Sequence, residues 1–149
     1  MVAMGPDELN DFLTAAFPQA QLPMRVTRSD DDGVEVTWPY HENQLRPGGT
    51  LSGPTLMTLA DTVAYVAVVA QIGPQFLTVT SHLDIDFLRK PPPADLRATG
   101  EVLKLGRRQA VVSIRIHSTA DDGLVASSSC TYALPSTPPA VADAEEPAR

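Results

Sequence analysis

Residues 56–72 read LMTLADTVAYVAVVAQI, seventeen positions of which one is charged, Asp61. A stretch this apolar and this long, with no strand-like alternation, reads as one long helix. Its surface is apolar nearly all round, so it must be covered on most sides. Gly-Pro pairs at 53–54 and 73–74 bound it, and Thr58, Asp61, Thr62 and Gln71 interrupt it. With strand-like segments following, it reads as a buried core helix and not a membrane span. Asp61 is then the anomaly. A carboxylate taken out of water is costly unless it is paired, hydrogen-bonded or protonated. It is either compensated by neighbours or kept for chemistry.

What surrounds the helix supplies the cover. PDELNDFLTAAFP (residues 6–18) places Leu9, Phe12, Leu13, Ala16 and Phe17 at helical spacing, with Asp7 as N-cap and Pro18 as stop. Residues 24–30 and 34–38 alternate as strands about the turn Asp31-Asp32-Gly33. A Gly/Pro-rich loop leads into the long helix. Four strand candidates follow, within 76–90, 95–106, 110–118 and 124–134. In these, Leu83, Ile85 and Phe87 share one face, as do Val112, Ile114 and Ile116. The order is short helix, two strands, long helix, four strands. This is an α+β arrangement in which a six-stranded antiparallel sheet wraps the helix. A single curled sheet leaves edges open, so self-association is expected.

The 149 residues suit one domain, expected over 1–134, with 135–149 a disordered acidic Pro/Ala-rich tail. A net charge of −7 argues against general binding to nucleic acid or to anionic membranes. One cysteine, Cys130, excludes an internal disulfide and a cysteine metal cluster. His41, His82 and His117 show no ligand spacing, so no metal and no cofactor are expected. The N-terminus has no basic segment followed by an apolar one, and cytoplasm is the default compartment.

Three segments carry a family resemblance: GGTLSGPTLMTLADT at 48–62, LDIDFLRKP at 83–91 and LKLGRR at 103–108. In order and spacing they resemble the PaaI-like acyl-CoA thioesterases of the hotdog fold, within the 4-hydroxybenzoyl-CoA thioesterase superfamily. The resemblance spans roughly residues 24–134. The family's helix-start motif is His-Gly-Gly, with an acid eight positions after the first Gly; Gly53 and Asp61 keep that interval. Ser52 stands where the family has His, Pro54 where it has the second Gly, and Arg46 where many relatives carry Asn. The resemblance implies thioester hydrolysis in a homodimer, or a dimer of dimers.

Hydrolysis needs a donor for the negative charge that develops on the carbonyl oxygen, and a group that attacks or activates water. Unpaired amides at a helix N-terminus are such donors, and Gly53 lets a thioester approach closely. Asp61 is the candidate nucleophile or general base. Eight helical residues separate the two by about 12 Å, too far for both to meet one reacting centre. If both act, they act from different chains, and the enzyme is an obligate dimer with two symmetric sites. Thr80 falls near where relatives place an orienting hydroxyl, although a one-residue shift would put Val79 there. Ser52 reads as an N-cap with a possible substrate contact, and Tyr65 as either acyl-pocket lining or core. Six of the eleven basic residues fall within 89–108, and Arg89, Arg107 and Arg108 are the candidates for the CoA phosphates. Two alternatives stay open: a non-catalytic acyl-CoA-binding protein, and a hydratase or dehydratase using a His such as His41.

Overall fold

The strand order is what turns these segments into a site. The computed structural model describes residues 2–20 and 22–136; the tail expected from 135 lies, from 137 onward, outside them. Helix α1 (Pro6–Ala16) precedes the hairpin β1 (Arg25–Asp30) and β2 (Gly33–Trp38). A short 3-10 turn at Glu42–Gln44 leads to the long helix α2 (Gly53–Ile72). Then come β3 (Val79–Phe87), β4 (Leu96–Leu105), β5 (Gln109–Ser118) and β6 (Leu124–Ala133). The six strands form one sheet in the order β1-β2-β4-β5-β6-β3, with every pair antiparallel. This is the hotdog architecture, and α2 is the crossover that carries the chain from β2 to the far edge.

The inward rows follow the expected alternation. Val34 and Val36, Leu96 and Ala98, Val112, Ile114 and Ile116 are fully buried against Leu59, Val63, Val66 and Ala70 of α2. Each such aliphatic side chain contributes about 1.5–3 kcal/mol by leaving water. Cys130 is a buried core thiol, pushed up to about 11 chiefly by burial. Gly100 lets the helix come close: a Cβ there would sit 2.8 Å from Val63 Cγ1 and 3.4 Å from Val34 Cγ2.

Two local expectations change. The N-cap of α1 is Gly5, with Pro6 at the first helical positions; Asp7 sits inside the first turn, where a carboxylate suits the positive end of the helix dipole. Helix α2 is also less enclosed than its composition implied. Among the described residues it is the one helix long and apolar enough to cross a membrane, yet 67% of its apolar window is buried inside the fold. The remainder is an open stripe: Pro54, Met57 and Thr58 are exposed and Asp61 and Thr62 half-exposed.

The two sheet edges differ. At β1, the Asn10 side chain accepts from the Val26 N–H at 2.9 Å and donates to the Val26 carbonyl at 3.0 Å, docking α1 on that strand. At β3 nothing comparable exists among the described residues, and Val79 and Phe87 are 57% and 51% exposed. Crowding Gly100 tests how close the helix lies to the sheet. Gly100→Ala is expected to lose about 1–3 kcal/mol of stability in urea unfolding, whereas unchanged stability would contradict this packing.

Candidate active site

The start of α2 leaves one amide free. A helix N-terminus has four N–H groups without intrahelical partners, here those of Ser52, Gly53, residue 54 and Thr55. The Ser52 N–H donates to the Gln44 carbonyl at 2.9 Å. Pro54 has no N–H. The Thr55 N–H donates to the Ser52 hydroxyl at 3.3 Å, so Ser52 is the N-cap. Gly53 alone keeps an amide with no partner among the described residues. A Cβ at Gly53 would meet the Phe87 ring at 3.5 Å, which places the helix start beside the end of β3.

Two turns further on, Asp61 faces the start of the same strand. Its Oδ1 accepts from the Thr80 hydroxyl and from the Tyr132 hydroxyl, each at 2.6 Å. Thr80 and Tyr132 are cross-strand partners on β3 and β6, beside a β-bulge between Thr80 and His82. The hydroxyl on Asp61 is therefore that of Thr80, and Val79 is exposed next to it. No motif in the sequence singles out Tyr132. Its place on the inward row of β6 is legible from the alternation, but its partner is 71 residues away in the chain. Burial, then the bond to Asp61, pushes its phenol well above the ordinary tyrosine range, so it remains a donor at neutral pH.

A cleft of about 320 Å³ opens at Asp61, walled by Phe17, Leu22, Tyr65, Phe76 and Tyr132. Tyr65 is buried and lines this cleft. Its hydroxyl donates to the Gln75 carbonyl at 2.9 Å, and burial raises its pKa. The Tyr65 ring lies 6.0 Å from Phe12, 5.6 Å edge-on from Phe17 and 6.0 Å from Tyr132. Asn10 thus acts at a distance, since the helix it docks supplies Phe12 and carries the chain into Phe17.

The basic residues do not converge within one chain. Arg107 and Arg108, with Lys104, border a groove of about 690 Å³ at the β4–β5 turn. Arg89 sits at the other end of the sheet, paired with Asp121 at 2.6 Å. Its N–H reaches the Val125 carbonyl, whereas the Arg108 carbonyl accepts from Leu134. Nine strand residues, about 30 Å, separate those points on β6. Arg46 is exposed in a turn closed by the Gly49 N–H on its carbonyl at 3.1 Å. His41 caps the 3-10 turn, its Nδ1 accepting from the Asn43 N–H at 3.0 Å, and it does not line the cleft.

Known proteins share this fold. The chain is 38% identical over 96 residues to PA0474 of Pseudomonas aeruginosa, an inferred esterase, covering 63% of this chain and 69% of that protein. A crystal structure of an inferred thioesterase from Silicibacter sp. TM1040 superposes with a TM-score of 0.82 at 36% identity, over 91% of this chain and 94% of the other. Zebrafish thioesterase superfamily member 2 shares the fold at 20% identity, with a TM-score of 0.78 over 89% of this chain and all of the other, 100%. The sequence profile of the thioesterase superfamily matches residues 48–126, from the glycines before α2 to the middle of β6, and the chain belongs to that superfamily.

Proposed function

We propose that the protein hydrolyses an acyl- or aryl-CoA thioester, in the cytoplasm, at two sites each shared between two copies of the chain. The observation that carries this reading is the placement of the two groups along β3. Asp61 is tied to Thr80 near the start of that strand, and Gly53 lies against Phe87 at its end. Seven strand residues span about 23 Å, and α2 itself holds the groups about 12 Å apart. Antiparallel pairing of two β3 edges about an axis at Asp84 would set Leu83 opposite Ile85 and, with the bulge after Thr80, Thr80 of one copy opposite Phe87 of the other. Asp61 of the first copy then approaches Gly53 of the second. The same pairing brings Arg89 of one copy toward the β4–β5 turn of the other, where Arg107 and Arg108 offer charge to the CoA phosphates. Stacking of such dimers into a tetramer is compatible with this site.

In the chemistry, the Gly53 N–H donates to the thioester oxygen as it gains charge. Asp61 either takes a proton from water as the water oxygen bonds to the carbonyl carbon, or attacks that carbon itself. In the second case an anhydride forms, which water then cleaves. Collapse of the tetrahedral intermediate breaks the C–S bond. The thiolate leaves, gains the proton as CoA thiol, and the acid is released. The cleft beside Asp61 takes the acyl or aryl group between Phe17, Tyr65 and Phe76.

A CoA-ester-binding protein without turnover is the second reading, favoured by Ser52 and Pro54 at positions where the family has His-Gly. Thiol release from a panel of acyl- and aryl-CoAs separates the two. The wild type is expected to release thiol, and Asp61→Asn to lower kcat by about 10²- to 10⁴-fold. Full activity in Asp61→Asn would reject Asp61 as the reacting group, and tight binding without release would establish the second reading. Sedimentation is expected to find a dimer or tetramer of the 15.9 kDa chain; an active monomer would contradict the shared site.

A further inference from the structure

We propose that Tyr132 is a positioning residue for the hydrolysis, selecting which oxygen of Asp61 reacts; this rests on the function proposed above. Oδ1 of Asp61 receives two hydroxyl donors at 2.6 Å, Thr80 from the edge strand and Tyr132 from the strand beside it. Those bonds occupy the in-plane lone pairs of Oδ1. Oδ2 has no hydrogen-bond partner among the described residues, and it is the oxygen left to meet water or the thioester carbon.

Tyr132 does more than Thr80 does. Its hydroxyl also lies 2.9 Å from the backbone carbonyl of Asp61, so one phenol grips both the main chain and the side chain of the same residue. It has one proton to share, and the shorter contact is to the carboxylate. Thr80 is exposed on a strand paired on one side among the described residues, whereas Tyr132 is 3% exposed, on a strand paired on both sides. Its ring is further fixed against Tyr65. The rigid partner therefore sets the carboxylate's rotation. A misaligned carboxylate loses rate while binding stays as it was, because reacting atoms need near-attack geometry.

Tyr132→Phe keeps the ring and removes the hydroxyl. Its kcat is expected to fall about ten- to a hundredfold, the worth of a hydrogen bond to a charged group, with KM and the melting temperature little changed. Placed on top of Asp61→Asn, the same substitution is expected to cost nothing more, because it acts through that carboxylate. Unchanged kcat in Tyr132→Phe overturns the proposal. So does a loss that adds in full to that of Asp61→Asn, which would mark a purely structural role. Either result leaves the hydrolase reading standing. A wild type that releases no thiol from any CoA ester overturns both.

Discussion

An α-helix is a rigid spacer. Because α2 runs unbroken from Gly53 to Ile72, its free amide and its carboxylate stay about 12 Å apart however the loops move. Two groups that must act on one carbonyl carbon cannot both come from this helix. Three features of the fold bear on that separation: the open stripe on α2, the exposed strand β3 and the basic residues held at opposite ends of the sheet. In the proposed reading each is half of something completed by a second copy.

The sheet accounts for why the halves are where they are. The α2 crossover sends β3 to the edge beside β6, and β3 then touches the helix at its start and near its middle. Thr80 meets Asp61, and Phe87 meets Gly53. The opposite edge is docked by α1 through Asn10, so among the described residues one edge remains open to pairing. Four hydroxyls that flank the site are committed, whereas the buried Thr78 Oγ1 in the same cleft has no partner among the described residues. Ser52 caps the helix, Tyr65 bonds to the Gln75 carbonyl, and Thr80 and Tyr132 bond to Asp61. Two donors on one oxygen of this half-exposed carboxylate offset part of the desolvation cost that made its position anomalous.

Much of this was legible in the sequence because it is local. The Ser52-Gly53-Pro54 start, the length of α2 and the interval to Asp61 depend on helical geometry alone, and the inward rows on strand alternation. Thr80 was legible only through family spacing, and the register of β3 against β6 decides it over Val79. Tyr132 was not legible, because its bond to Asp61 joins positions 71 residues apart and depends on that register. The aromatic wall was hidden for the same reason: Phe17 and Phe76 lie in different segments and meet only through Tyr65 and Phe12. Arg89, Arg107 and Arg108 show the opposite relation between sequence and space. They are near in sequence, but a sheet order that sends β3 and β4 to different places sets them about 30 Å apart.

The separation of amide and carboxylate gives a direct test in a dimer built from two different chains. One chain carries Asp61→Asn. The other carries Gly53→Pro, which deletes the amide at a first helical position that tolerates proline. Each variant alone is expected to be close to inactive. The doubly tagged mixed dimer has one site with neither change, so it should recover about half of the wild-type kcat. A mixed dimer as inactive as its parents would mean that one chain supplies both groups, contrary to the geometry of α2.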